Sequence, residues 1–191
     1  MILIADVGGT KSSWRLLDGE HILQFETDGY NPHTHELAEF ISALNQAFEE
    51  YTESVKKVHF YGASIYPHDH AFSDALKSIF VHADILLNND LLAACRAVSA
   101  TEPGFVGILG TGSAGCFYDG STVAIHPPSL GYILGDEGSG MSLGRRLISL
   151  ALRKKLDEDL QREFDETFQL TKFKLYDHVY KGSHPNTYLA S

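Results

Sequence analysis

The sequence predicts an α/β protein built from two successive units. Three observations carry that prediction. Strand-length apolar runs alternate with amphipathic helical stretches. A pattern of strand, glycine turn, strand, tight turn and strand occurs at the start and returns in mid-chain. The 191 residues are 43% apolar and 11% aromatic, which is enough for a packed core. The expected boundary separates residues 1–104 from residues 105–191.

The elements follow in order. Residues 2–5 read as a buried strand, Gly8-Gly9-Thr10-Lys11 as a turn, and residues 12–17 as a second strand. Asp18-Gly19 is a hairpin signal, and residues 21–26 form the third strand. Leu37, Phe40, Ile41, Leu44 and Phe48 recur at helical spacing across 35–51. Strands are expected over 57–62 and 84–88, and helices over 71–81 and 91–99. The opening pattern then returns: strand 105–109, Gly110-Thr111-Gly112-Ser113, strand 114–118, Asp119-Gly120 and strand 122–126. Gly9-Thr10 and Asp18-Gly19 map onto Gly110-Thr111 and Asp119-Gly120 at one constant offset, the mark of an internal duplication. Beyond Gly140 one helical stretch is expected through Leu143, Leu147, Leu150, Leu156, Leu160 and Phe164. The tail from Lys172, broken by Gly182 and Pro185, shows no closing element.

A duplicated glycine turn suits phosphate. Glycine lets the backbone approach an anion closely, and two such hairpins offer N–H groups to one polyphosphate. Thr10, Thr111 and Ser113 add hydroxyls, and Lys11 adds a charge. Gly110-x-Gly112-x-x-Gly115 satisfies the dinucleotide fingerprint, but that motif needs a helix after the loop, and here a hairpin follows. The G-x-x-x-x-G-K-[ST] loop is absent from the sequence.

Three carboxylate positions stand out. Asp6 ends the first strand beside the turn, where it suits water-mediated Mg²⁺ coordination or a hydrogen bond to the turn itself. Asp90 precedes an apolar helix and reads either as its N-cap or as a general base at a strand end. Gly135-Asp136-Glu137-Gly138-Ser139-Gly140 places acids in a flexible loop at a helix head, and Asp136 could accept hydrogen bonds from sugar hydroxyls. His68-Asp69-His70 and His33-x-His35 lack a third ligand and read as solvated loop histidines.

Composition limits the partners. A net charge of −10 repels phosphate backbones, which argues against nucleic acid. The two cysteines, Cys95 and Cys116, lack metal or redox spacing, consistent with a reducing cytoplasm. The N-terminus lacks a signal-peptide pattern, and no apolar run is long enough to span a membrane. A cytoplasmic protein that does not contact membranes is expected.

Asp6-Val-Gly-Gly-Thr-Lys-Ser12, Leu109-Gly-Thr-Gly-Ser113 and Gly131-Tyr-Ile-Leu-Gly-Asp-Glu-Gly-Ser139 occur in that order. Together they resemble the N-acetylglucosamine kinase branch of the BadF/BadG/BcrA/BcrD-type ATPase family, within the actin-like ATPase and sugar-kinase superfamily. The resemblance covers roughly residues 1–150. It implies two ribonuclease-H-like domains with MgATP between them and a sugar such as N-acetylglucosamine phosphorylated at its 6-hydroxyl. By position it assigns Gly8, Gly9, Thr10, Lys11, Gly110, Thr111 and Gly112 to nucleotide phosphate and Asp6 to Mg²⁺. Asp90 becomes the catalytic base, and Asn31, Ser113, Gly131 and Asp136 become sugar contacts. Two departures accompany it. Pro128-Ser129-Leu130-Gly131 stands where such kinases often carry Gly-Gly-Trp-Gly, and family members run on further to complete the second domain. The chain is therefore expected to carry an incomplete second domain, to bind nucleotide poorly by itself, and to expose a sheet edge open to pairing, with a homodimer as one outcome.

Two other readings are kept. One is an ATPase that activates a radical dehydratase or reductase through a cysteine-held iron–sulfur cluster, for which Cys95 and Cys116 are poorly placed. The other is a sugar-binding or regulatory domain without catalysis.

Overall fold

The computed structural model describes every residue except Thr10, Thr34 and Ser183. The chain divides into two units, Met1–Glu102 with Gly120–Thr122, and Pro103–Asp119 with Val123–Ser191.

The first unit opens with β1 (Ile2–Val7), β2 (Lys11–Asp18) and β3 (His21–Asp28), an antiparallel meander. Then come α1 (Leu37–Ala47), β4 (Lys57–Gly62), α2 (His70–Ile79), β5 (Asp84–Asn89) and α3 (Asp90–Ser99). The five strands form one sheet in the order β3-β2-β1-β4-β5, in which β4 runs parallel to both β1 and β5. Strand alternation decides its faces. Leu3, Ala5 and Val7 are buried, whereas Ile2, Ile4 and Asp6 point to the other side and are exposed.

Register carries the buried face across the sheet. Leu3 lies opposite Leu16 and Val58, and Ala5 lies opposite Trp14 and Phe60. Phe40 and Leu44 of α1 and Phe72, Leu76 and Ile79 of α2 close over this face. Aromatic rings fill much of the space: Trp14 lies 5.1 Å from Phe48, Phe60 lies 4.9 Å from Phe72, and Tyr30 stacks on Phe40 at 4.7 Å. The buried Trp14 indole donates to Thr27 Oγ1 at 2.9 Å, so its polar edge is satisfied. Helix α3 covers part of the opposite face, where Arg96 donates to the Tyr61 hydroxyl and lies over its ring.

The second unit repeats the meander in β6 (Gly104–Leu109), β7 (Ser113–Tyr118) and β8 (Val123–Ile125). The hairpin glycines of the two copies, Gly19 and Gly120, both have positive φ, at 61° and 99°. Helices then replace strands: α4 (Gly131–Leu134), α5 (Gly140–Leu152), α6 (Glu158–Phe168), α7 (Lys172–Tyr180) and α8 (Pro185–Ala190). Helix α5 packs on α8 so closely that a Cβ at Gly144 would lie 1.7 Å from the Leu189 carbonyl oxygen. Among the described residues no helix is long and apolar enough to cross a membrane.

Two expectations about the second unit are corrected. The single stretch after Gly140 is two helices, because Lys154 takes φ 52° and Asp157 starts α6 by accepting the Leu160 N–H at 2.9 Å. The tail is helical. Thr171 caps α7 by accepting the Lys174 N–H at 3.2 Å, and Pro185 opens α8, where proline needs no N–H partner.

Trp14 is the sole tryptophan of the sequence and is fully buried in the first unit. Its fluorescence is therefore expected to report the unfolding of that unit, with blue-shifted native emission. Phe48→Ala, which empties the space beside it, should cost about 3–5 kcal/mol in a denaturant titration followed at this signal.

Candidate active site

The candidate residues fall into two clusters, one in each unit, and each is described by itself. In the first unit, β1, β4 and β5 run parallel, so their carboxyl ends share one edge of the sheet. Register aligns Val7 with Gly62 and Gly62 with Asn89. Asp6, the glycine turn and Asp90 are thereby brought to one edge.

The turn is braced from inside and from the loop after β3. The Gly8 N–H donates to the Lys11 carbonyl at 3.0 Å, and the Gly8 carbonyl accepts the Tyr30 N–H at 2.9 Å. Asn31 follows at once, and a Cβ at Gly9 would lie 3.9 Å from its side chain. Asn31 is itself fixed. Its N–H donates to His35 Nδ1 at 3.0 Å, its carbonyl accepts the His35 N–H at 2.9 Å, and its Oδ1 accepts the His33 N–H at 2.9 Å. The two histidines thus support a turn that presents Asn31 beside Gly9. Lys11 pairs with Glu26 at 2.8 Å, and both side chains are about two-thirds exposed, so solvent screens the pair. Thr10 lies outside the described residues.

Asp90 is not the N-cap of α3. Asn89 is: its side chain accepts the Leu92 N–H at 2.9 Å from an extended backbone. Asp90 is the first helical residue, and its Oδ1 accepts the Leu91 N–H at 2.9 Å. Burial pushes its carboxyl above the usual carboxylate range; the backbone hydrogen bond opposes that shift, and the like charge of Asp6 adds to it. The helix begins one residue before the expected span of 91–99, which leaves Asn89 in the cap position. Asp69 is likewise a cap, accepting the Phe72 N–H at 3.0 Å at the head of α2.

In the second unit the β6–β7 turn is held by the loop before α5. The Gly110 N–H donates to the Gly112 carbonyl at 2.9 Å. The Gly110 carbonyl accepts the Gly140 N–H at 2.8 Å, and the Thr111 carbonyl accepts the Met141 N–H at 3.2 Å. Ser139, fully buried, caps α5 by accepting the Ser142 N–H at 3.2 Å. Asp136 Oδ1 accepts the Ser113 N–H at 3.3 Å, and Ser113 Oγ donates to the Glu137 carbonyl at 2.9 Å. Gly110, Thr111, Gly112, Ser113 and Asp136 are thus gathered in one place. Gly131, at φ 68°, heads α4 and accepts the Gly135 N–H at 2.8 Å. The part played by the Glu137 carbonyl, a backbone group, left no sequence signal.

The meander used twice and the β3-β2-β1-β4-β5 order define the class: an α/β protein of the actin-like ATPase fold. No family model matches the chain, and no curated protein does. Among solved structures, the chain is similar over its whole length to the Porphyromonas gingivalis protein named Putative N-acetylglucosamine Kinase. Identity is 36%, the TM-score is 0.87, and the match covers 100% of this chain and 70% of that one. A Chromobacterium violaceum protein of the same name shares the fold at 22% identity and a TM-score of 0.65, with 99% of this chain and 70% of that one covered. The chain belongs to the family of the Porphyromonas gingivalis protein, the N-acetylglucosamine kinase-like proteins.

Asn89→Ala and Asp90→Asn should move stability in opposite directions. Loss of the cap is expected to cost about 0.5–2 kcal/mol. Asp90→Asn removes a charge whose burial is unfavourable, so at neutral pH its unfolding midpoint should exceed that of the wild type. A carboxyl with a raised folded pKa incurs its cost as pH rises through that pKa. The advantage of Asp90→Asn should therefore vanish below the ordinary carboxylate range, where Asp90 is protonated in both states. Thermal melts at several pH values check both expectations.

Proposed function

We propose that the protein is an ATP-dependent sugar kinase that transfers the γ-phosphoryl group of MgATP to a hydroxyl of N-acetylglucosamine or a related amino sugar, at the 6-position. In this reading residues 1–104 form a ribonuclease-H-like domain and residues 105–191 the first part of a second one, a division supported by the repeated meander.

The observation that carries the reading is the setting of Asp90. It is a carboxylate at the end of a parallel strand, relieved of capping by Asn89 and shifted by burial toward holding a proton. That is what a general base for an alcohol needs: it takes the hydroxyl proton as the sugar oxygen attacks phosphorus and the ADP oxygen leaves. Asn31, Ser113, Gly131 and Asp136 are assigned to the sugar.

Peptide planarity supports the phosphate assignment. In a trans peptide the C=O and the following N–H point in opposite directions, and no cis bond occurs among the described residues. The Gly110 and Thr111 carbonyls are taken by the first N–H groups of α5. The N–H groups of Thr111 and Gly112 are thereby aimed away from the helix, toward an incoming anion. The Gly8 carbonyl, taken by Tyr30, aims the Gly9 N–H outward in the same way. Lys11 would exchange Glu26 for phosphate.

Asp6, exposed beside the first turn, offers the hard oxygen donor that Mg²⁺ takes through water, alongside substrate phosphates. When bound, Mg²⁺ offsets charge on the phosphates. Catalysis by the chain's own residues is then positioning plus proton acceptance.

A coupled ADP-release assay over hexoses and N-acetyl hexosamines tests the proposal. Turnover should require an amino sugar. Asp90→Asn should lower kcat by about 10²–10⁴-fold with sugar binding retained. The kcat–pH profile should have an acid limb above the ordinary carboxylate range, because the base works only when deprotonated. Sugar binding without turnover would instead identify a regulatory sugar-binding protein.

A further inference from the structure

Asp136 touches the backbone of the glycine turn directly. Its own φ is 57° and that of Gly138 is 77°, which folds the Gly135–Ser139 loop back onto the β6–β7 turn. The carboxylate comes to rest against Gly112. A Cβ there would lie 3.0 Å from Oδ2, 3.2 Å from Cγ and 3.3 Å from Oδ1. Gly112 is not among the positive-φ residues, so its backbone conformation does not require glycine. What favours glycine is room for the carboxylate, which an added Cβ would displace by a few tenths of an ångström. The next N–H, that of Ser113, donates to Oδ1 at 3.3 Å, on the opposite side of the peptide from the carbonyl that receives the Gly110 N–H. Four consecutive residues, Gly110 to Ser113, are therefore held by the loop and the head of α5. A shift of the Asp136 carboxylate is therefore felt at the turn through the Ser113 N–H.

We propose that Asp136 is a positioning residue that couples sugar binding to phosphate binding, an inference that rests on the kinase reading above. One carboxylate oxygen holds the Ser113 N–H of the phosphate turn, and the other accepts a sugar hydroxyl. Seating a sugar orders the carboxylate, and the ordered carboxylate fixes the turn whose Thr111 and Gly112 N–H groups receive phosphate. The linkage is reciprocal: a nucleotide that orders the turn raises sugar affinity by the same factor. Gly112 is the gap through which the two events communicate.

Calorimetric titrations of the full-length protein test this, with N-acetylglucosamine and a magnesium complex of a non-hydrolysable ATP analogue, each alone and each in the presence of the other. Wild type should bind the analogue about five-fold or more tightly with sugar present, and sugar more tightly by the same factor with analogue present. Gly112→Ala keeps the Asp136 side chain but forces its carboxylate to give by a few tenths of an ångström, so it should weaken sugar binding with no nucleotide present and bring the coupling factor close to one. Asp136→Asn keeps an oxygen for the Ser113 N–H and should fold with a wild-type melting temperature, yet lose the coupling. Gly107→Ala is the control, since a Cβ there meets nothing closer than 3.8 Å; it should leave both affinities unchanged. Nucleotide affinity that ignores sugar in wild type, or full coupling in both variants, overturns the inference, and sugar-dependent ADP release in the same preparation leaves the kinase reading standing. Wild type that neither binds sugar nor releases ADP overturns both.

Discussion

Everything in the first unit depends on β1 pairing antiparallel on one side and parallel on the other. The antiparallel side fixes the glycine turn at the carboxyl end of β1. The parallel side brings the carboxyl ends of β4 and β5 to the same edge. Alternation then decides which residues face the solvent. A slip of one residue would carry Asp6 to the side of Leu3, Ala5 and Val7, where an unpaired carboxylate is heavily penalised. The edge must also be open. At Gly62 a Cβ would lie 2.7 Å from the Phe60 ring and 2.9 Å from Ile65, so β4 ends without a side chain where the edge turns over the core. The position of Asp6 is thus specified by the cost of the alternative as much as by any contact it makes.

The same edge carries an electrostatic cost. Burial disfavours the Asp90 carboxylate, and the charge that reaches it from β1 is that of Asp6, of like sign. Backbone N–H groups, that of Leu91 first and that of Asp90 itself second, offset part of this. A cap at Asp90 would have anchored α3 more simply, but the structure gives that task to the neutral Asn89. The cap and the buried carboxylate thus sit on adjacent residues. That setting supports the proposal that Asp90 serves as a general base.

Much of this was legible in the sequence, for identifiable reasons. Strand 57–62 is bounded by a change in hydrophobic period, and the structure places β4 there, at Lys57–Gly62. The duplicated hairpins were readable because Asp18-Gly19 and Asp119-Gly120 are turn signals at a constant offset, and both glycines take the φ that the signal implies. Misreadings arose where one residue type serves two purposes. Pro185 read as a breaker and is a first helical residue. The six-residue gap between Leu150 and Leu156 departs from helical spacing, and the real break falls within it, at Lys154. The Lys11–Glu26 ion pair left no sequence signal, because it depends on β2–β3 register, which local sequence does not display.

The two copies of the turn have diverged in what supports them. Among the described residues, the first is braced by the loop after β3, through Tyr30 to the Gly8 carbonyl. The second is held by a helix N-terminus, whose first two N–H groups are spent on the turn's own carbonyls. A helix start commonly serves an anion directly. Here it serves the loop and orients the loop's N–H groups by peptide planarity alone. The positive end of α5 still lies behind the turn, so its field favours negative charge there without a direct hydrogen bond. Because the supporting residues, Gly140 and Met141, follow immediately on the loop that carries Asp136, the rigidity of the turn and the placement of that carboxylate are set by one short segment. Among the described residues, the first turn is thus held by a loop and the second by a helix start, and the second gives a backbone N–H, that of Ser113, to the Asp136 carboxylate.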